Sequence, residues 1–375
     1  MFRQKISQLR HFGPVIVILL ISWIASNGFN CLRKWFPWDL HNPLSVINFT
    51  IACFWLLLVL YNYFQCIFLG PGYVPANWRP NFIEHEKYLQ YCEICQSFKV
   101  PRAHHCRTCQ RCVLKFDHHC PWINTCLGYK NHACFCWFLL SSILGCIHAL
   151  LIICPCVYRV LFIPYMPWKN EPRIDFTTMS LMSSILSIGL AIGVIIALGL
   201  LLLIQLKNIA YNRTTVENRI IRKANDRHRE QFIYPYDLGF QENLRQVFNW
   251  KDCFRLVGDG LTWPVRSDCD QYTLSREQLE QEVEHEQQAV RYKAIRSYDG
   301  SFFPLIYGLR TCIHIPYSIE PRLRINQRDY LLVTRWQRYW LYGKFLMANQ
   351  TMTGCRGWFP RCCVIQHLNT KKKLS

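Results

Sequence analysis

Four apolar runs interrupt an otherwise polar chain of 375 residues, at 12–30, 46–69, 133–157 and 179–206. Each is long enough to cross the roughly 30 Å hydrocarbon core of a bilayer as a helix of about 20 residues. A basic segment, 1–11, with Arg3, Lys5, Arg10 and His11, precedes the first run. A basic start, an apolar middle and the small pair Ala25-Ser26 also fit a cleaved signal peptide. The three later runs make an uncleaved anchor the better account. Gly70-Pro71-Gly72 ends the second run, and Gly189, Gly193 and Gly199 give the fourth a small-residue face suited to helix packing. The short loop 31–45 carries Trp35 and Trp38, as an interfacial aromatic belt would, and 158–178 is a short loop with Pro164, Pro167, Trp168 and Pro172. Residues 207–289 turn polar, with an acidic, Gln-rich stretch at 276–288 that reads as a solvated helix or linker. From 290 to 366, short apolar and aromatic runs alternate with turn residues, the pattern of a small β domain, and a basic tail, 367–375, follows. The expected architecture is an α-helical polytopic membrane protein with four transmembrane helices, a cysteine-rich loop at 73–132 and a C-terminal all-β domain.

Charge orients this arrangement. A net charge of +19 on a soluble chain would suggest nucleic acid as a partner. Here the basic residues cluster where topology needs them, so no nucleic acid is expected. The cysteine-rich loop holds Arg79, Lys87, Lys99, Arg102, Arg107, Arg111, Lys115 and Lys130, and Lys207, Arg213, Arg219 and Arg222 follow the fourth span. Both termini and the loop are therefore expected in the cytosol. The spans hold almost no ionisable side chains, which argues against a channel or transporter. His148 is the exception and reads as a packed or interfacial histidine.

The chemistry concentrates in residues 91–131. This stretch holds Cys92, Cys95, Cys106, Cys109, Cys112, Cys120 and Cys126, with His104, His105, His118 and His119. The other cysteines of the third apolar run, such as Cys134, Cys136 and Cys146, read as small hydrophobes. Repeated C-x-x-C spacing with interleaved histidines suits tetrahedral zinc, and thiolates free to bind metal require a reducing compartment. Two closed sites need eight ligands, so three of the eleven candidates are left over. In an extended segment, adjacent side chains point to opposite sides. If His119 binds metal, His118 faces the other way, on the side of Cys120. A cysteine, a histidine two places before it and the adjoining Asp117 form a nucleophile, base and orienter. The plain alternative is a pair of structural zinc knuckles. A DNA-reading zinc finger is disfavoured because the next residues enter a membrane span. A nucleophilic thiol at the cytosolic membrane surface suits a substrate with a phosphate head and a long alkyl tail, and a fatty acyl-CoA has that form.

These residues resemble the cysteine-rich domain of the DHHC protein S-acyltransferases, or palmitoyltransferases. Asp117-His118-His119-Cys120-Pro121-Trp122 matches the motif that names the family. Lys99-Val100-Pro101-Arg102, His104-His105-Cys106 and Asn124-Thr125-Cys126-Leu127-Gly128 extend the similarity. Thr214-Thr215-Val216-Glu217 looks like the family's TTxE motif. Tyr236-Asp237-Leu238-Gly239 with Asn243 and Val247-Phe248 looks like its C-terminal aromatic/Asn motif. The resemblance covers roughly residues 10–250. It departs at Gly70, where the family usually has Asp, and at Val100, where a Pro is frequent. It implies that Cys120 accepts the acyl group, that His118 is the base and that Asp117 orients it. It implies one zinc on Cys92, Cys95, His105 and Cys112, and another on Cys106, Cys109, His119 and Cys126. It further implies an acyl-chain cavity among the four helices, support of Asp117 by Thr215, and packing of the C-terminal segment by Asn243. The implied co-substrate is palmitoyl-CoA, and the implied protein partners are membrane or membrane-associated substrates with cytosolic cysteines.

Ala294-Ile295-Arg296-Ser297-Tyr298, Tyr339-Trp340 and Gly357-Trp358-Phe359-Pro360 resemble an SH3-like barrel at 290–366, with an SH3 partner or a packing role for its aromatics. Cys362-Cys363 read as buried strand thiols, with acylation as the alternative. Lys372 and Lys373 stand as in a dilysine retrieval signal, which implies the endoplasmic reticulum membrane, with the Golgi as the alternative. The expected function is transfer of a long-chain acyl group from acyl-CoA to protein cysteines through an acyl-enzyme. The competing reading is a catalytically silent zinc-containing scaffold.

Overall fold

The computed structural model describes residues 8–35, 43–162, 174–228, 231–248, 257–301, 305–316, 320–346 and 356–367. The chain divides into two compact units, Met1–Arg276 and Glu277–Ser375.

The first unit rests on four long helices: α1 (Phe12–Trp35), α2 (Pro43–Leu69), α3 (His132–Phe162) and α4 (Thr178–Ala210). All four are long and apolar enough to cross a membrane. Their outward faces expose Leu57, Leu151, Met182 and Leu203, as lipid contact requires. Helix α3 packs against each of the other three. α4 extends past its apolar run to Ala210, where Asn208 and Ile209 are buried against protein. The small-residue face expected on α4 does not form a close helix contact. A methyl group added at Gly189, Gly193 or Gly199 would meet nothing within 4 Å, and Gly189 and Gly193 line a cavity instead. The buried face of α4 uses Ser184, Ser187 and Ala191.

Between α2 and α3 the cysteine-rich loop folds as three two-stranded antiparallel hairpins. They are β1 (Tyr91–Cys92) with β2 (Ser97–Phe98), β3 (His104–Cys106) with β4 (Arg111–Val113), and β5 (His118–Cys120) with β6 (Thr125–Leu127). Each turns through a residue in the left-handed region: Gln96, Gln110 and Asn124. Such short strands bury little apolar surface, so other bonds must hold the loop.

One of those bonds is a buried ion pair to the segment after α4. Thr214 and Glu217 form a capping box at the start of α5 (Thr215–His228): Thr214 N donates to Glu217 Oε2 at 2.8 Å, and Glu217 N donates to Thr214 Oγ1 at 3.2 Å. The same carboxylate receives Arg102 from the loop in a bidentate pair, Nε–Oε1 2.7 Å and Nη2–Oε2 2.9 Å. Arg102 also donates to the Asn212 carbonyl at 2.6 Å and lies over Tyr236 and Trp263 at 4.5 and 4.8 Å. Asn243, in the short helix α6 (Phe240–Arg245), donates to the Ala210 carbonyl at 2.8 Å and to Asp237 at 2.6 Å. It thereby ties the returning chain to the end of α4.

The second unit is a five-stranded antiparallel sheet in the order β10-β9-β8-β7-β11. Its strands are β7 (Val290–Ala294), β8 (Tyr330–Trp336), β9 (Trp340–Phe345), β10 (Arg356–Pro360) and β11 (Val364–Gln366). The acidic stretch before it is helical, α7 (Thr273–Gln287). Tyr298, Trp340, Trp358 and Phe359 are core residues. Trp340 donates its indole N–H to the Thr311 carbonyl at 3.0 Å, which lets it be buried without loss of its polar group. Expectation and structure part at Cys362. It is exposed in a 3-10 turn, Arg361–Cys363, because that turn directs one thiol outward and buries only Cys363. Lys372 and Lys373 lie outside the described residues.

Replacing Glu217 by Gln keeps its shape but leaves Arg102 as a buried, unpaired charge. The expected cost is roughly 3–5 kcal/mol, seen as a lowered melting temperature of the purified protein in detergent.

Candidate active site and metal centres

The hairpins place eight ligand atoms in two groups, each drawn together within 4.8 Å: Cys92, Cys95, His105 and Cys112, then Cys106, Cys109, His119 and Cys126. The sets interleave along the sequence because the β3–β4 hairpin contributes to both: His105 and Cys112 to the first, Cys106 and Cys109 to the second. In β3, His105 and Cys106 are neighbours and point to opposite faces, so one strand serves two sites. The same alternation in β5 separates His119 from His118 and Cys120.

The spacing within each group fits zinc. Bonds of about 2.3 Å to sulfur and about 2.0 Å to nitrogen at tetrahedral angles imply S···N edges of about 3.5 Å and S···S edges of about 3.8 Å. In the first group the sulfurs of Cys92, Cys95 and Cys112 lie 3.5, 3.3 and 3.9 Å from His105 Nδ1. In the second, the sulfurs of Cys106, Cys109 and Cys126 lie 3.7, 3.5 and 3.6 Å from His119 Nδ1. Three thiols and one imidazole fill all four tetrahedral positions and are the donor set of a closed structural site.

Cys120, His118 and Asp117 stand outside both groups. His118 Nδ1 lies 2.7 Å from Asp117 Oδ2. Asp117 is only 2% exposed, and its Oδ1 accepts the backbone N–H of Thr215 at 2.5 Å. Thr215 thus supports the carboxylate through its backbone; its hydroxyl instead accepts from Asn208 at 3.5 Å. Burial by itself would raise the Asp117 pKa, but the hydrogen bond and charge of His118 and the Thr215 N–H hold it well below the usual carboxylate range. Burial would likewise lower the His118 pKa. Hydrogen bonds to Asp117 and Cys120 outweigh it and push the value up to about 9.

Cys120 is 4% exposed to solvent and opens instead onto an apolar cavity of about 480 Å³ among the four helices. Trp122, Ile123 and Phe135 line it with Cys120, and Leu139, Gly189 and Leu198 line it among the helices. His148, read above as packed or interfacial, is part of the cavity wall. The first turn of α1 packs against the segment that follows Cys120. Gly13 packs so closely that a methyl group there would come within 1.9 Å of the Pro121 carbonyl oxygen. His104 belongs to neither metal group and packs near Phe116.

The arrangement joins a thiol, a histidine held by a carboxylate, a rigid metal-type frame and an alkyl-sized cavity. A model of the DHHC palmitoyltransferase family matches residues 85–221, which hold the thiol, the histidine, the carboxylate and both metal groups. Palmitoyltransferase ZDHHC6 of Homo sapiens is 41% identical over 96% of this chain and 92% of its own length. The chain belongs to the DHHC palmitoyltransferase family. Palmitoyltransferase ZDHHC6 of Danio rerio is 43% identical over the same shares of the two chains. The more distant Palmitoyltransferase PFA4 of Mycosarcoma maydis is 37% identical over 57% of this chain and 52% of its own.

Two buried residues beside this family's motif, Gln205 and Lys115, were not singled out from the sequence. Gln205 also donates to Asp117 Oδ2, at 3.2 Å. Lys115 is fully enclosed, donates to Asn212 Oδ1 at 3.0 Å, and has its pKa lowered by burial and by Arg102 to about 7. Gln205 had a legible signal: one amide in the apolar run Leu201-Leu202-Leu203-Ile204-Gln205-Leu206 has to find a partner. Lys115 had none, since it read as one more topogenic cation.

Single Cys→Ser changes at Cys92, Cys95 or Cys112 are expected to remove one of two equivalents of bound zinc, measured by elemental analysis of purified protein. Changes at Cys106, Cys109 or Cys126 are expected to remove the other, and Cys120→Ser to remove none.

Proposed function

We propose that this protein S-palmitoyltransferase carries its acyl group on Cys120, with His118 as proton acceptor and donor and Asp117 as orienter. The observation that carries the reading is the opening of the Cys120 thiol into the apolar cavity while His118, bonded to Asp117, stands beside it. The first half-reaction uses palmitoyl-CoA. With Nδ1 bonded to Asp117, His118 takes the Cys120 proton on Nε2. The sulfur attacks the thioester carbonyl carbon, the bond to the CoA sulfur breaks, and His118 returns the proton to the leaving thiolate. In the second half-reaction His118 takes the proton of a substrate cysteine. That sulfur attacks the acyl carbon, the Cys120–acyl bond breaks, and the proton returns to Cys120. One thioester replaces another at each step, so neither direction is strongly downhill.

Zinc on the two Cys3His sets would supply rigidity, holding the hairpins that carry His118 and Cys120. The protein substrates are membrane or membrane-associated proteins with cytosolic cysteines. The spans at 12–30, 46–69, 133–157 and 179–206 would place both termini and the loop 73–132 in the cytosol, where acyl-CoA is found. Lys372 and Lys373 support residence in the endoplasmic reticulum membrane. The β domain at 290–366 keeps its SH3-like reading. Burial of Trp340, Trp358 and Phe359 favours packing over capture of Pro-rich ligands.

Alkyne-palmitate is expected to label the protein through a hydroxylamine-sensitive bond, and Cys120→Ser to abolish the label with zinc content unchanged. Equal labelling of the variant would return the chain to the silent-scaffold reading. Gly13→Ala pushes on the Pro121 carbonyl beside the nucleophile. It is expected to slow labelling about tenfold to a hundredfold at full zinc content, since misplacement by about 1 Å costs that much.

A further inference from the structure

We propose that Gln205 and His132 are positioning residues of the acyl transfer, forming an uncharged hydrogen-bonded strut that holds the Asp117 carboxylate to His118. The inference rests on the reading of Cys120 and His118 given above. Gln205 sits near the end of α4, and its Nε2 lies 3.2 Å from Asp117 Oδ2. His132 opens α3, and its Nε2 lies 2.9 Å from Gln205 Oε1. Gln205 is 1% exposed and His132 3%, so neither side chain exchanges these bonds for water.

The chemistry of the groups fixes the direction of every bond. An ionised carboxylate can only accept, so Gln205 must present its NH2 to Asp117. Its carbonyl oxygen then faces His132, and because that oxygen can only accept, His132 must carry a proton on Nε2. The amide cannot flip without setting its oxygen against the carboxylate and its NH2 against an N–H. Asp117 therefore receives three donors from three segments: His118 Nδ1 from β5, the Thr215 backbone from α5, and Gln205 from α4. The Nδ1–H bond leaves His118 Nε2 for the proton of Cys120.

The lack of charge matters. A cation in place of Gln205 would pair with Asp117 and compete with His118 for the same oxygen. An apolar side chain would leave that oxygen with one donor and the carboxylate freer to turn. An amide adds a donor and leaves the partnership with His118 intact. The partner of the amide is itself fixed, because His132 heads the helix whose next turn supplies Phe135, which lies edge-on to the His118 ring with centroids 6.3 Å apart. Two of the four helices that wall the cavity thus also set the orientation of the base.

The test uses the full-length protein in detergent or lipid nanodiscs, with single-turnover acylation of Cys120 by palmitoyl-CoA and zinc content read on the same preparations. Gln205→Leu and Gln205→Glu are expected to slow acylation about tenfold to a hundredfold, the range for a lost bond to a charged acceptor. KM for palmitoyl-CoA should stay within about twofold and zinc at its wild-type level, because the strut touches neither the acyl chain nor a ligand. His132→Phe should fall in the same range, and Gln205→Leu with His132→Phe should be no slower than either alone. His132→Gln, which returns an N–H near the same place, should recover most of the rate. Acylation by Gln205→Leu or Gln205→Glu within about twofold of wild type overturns the proposal, as does a His132→Gln rate no better than that of His132→Phe. If the wild type is not labelled on Cys120, the underlying catalytic reading fails, an outcome distinct from a labelled wild type with unaffected strut variants.

Discussion

Burying the Asp117 carboxylate removes it from water, and an ionised group so enclosed survives only where the protein supplies its donors. Those donors come from β5, α4 and the start of α5, segments far apart in the chain. Once they converge, the positions of the cysteine-rich loop, the end of the fourth span and the helix after it are mutually fixed. The bidentate Arg102–Glu217 pair repeats the arrangement a few residues away, with Glu217 capping α5 and receiving the loop arginine. Each buried charge here is satisfied by bonds that cross between segments, so each also serves as a register pin.

The loop needs such pins because its hairpins are too short to make a core. With metal bound, two Cys3His groups would hold the hairpins to one another, and the charged contacts hold the set to the helices. A strand of three residues, His118–Cys120, then has one side chain committed to the metal frame and its two neighbours turned the other way. The proposed catalysis asks for rigidity on one face and reactivity on the other, and the pleat of a β-strand separates them at no further cost in chain length.

The cavity shows a related economy. The glycines of α4 look like a packing face but leave room instead, and the room lies beside the thiol. On the proposed reading, acyl chain and nucleophile would be brought together by the same helices whose polar ends brace the base. In the second unit the aromatic residues that could have formed a ligand-binding surface are spent on the core, with the Trp340 indole satisfied inside it.

The sequence by itself determined what is local or set by spacing. Apolar length gave four spans, and C-x-x-C spacing with interleaved histidines announced two metal groups. Alternation in an extended strand separated His118 and Cys120 from His119. What only the tertiary structure decided are the partnerships between distant segments: Gln205 and the Thr215 backbone on Asp117, Arg102 on Glu217, Gly13 against Pro121. It also decided that Cys362 faces outward and that Gly189 and Gly193 border a void. The physical reason is common to all of these. A glutamine in an apolar run declares that it needs a partner, and a glycine declares that something is close or that space is wanted. Neither declares which, because the answer lies on a helix tens of residues away.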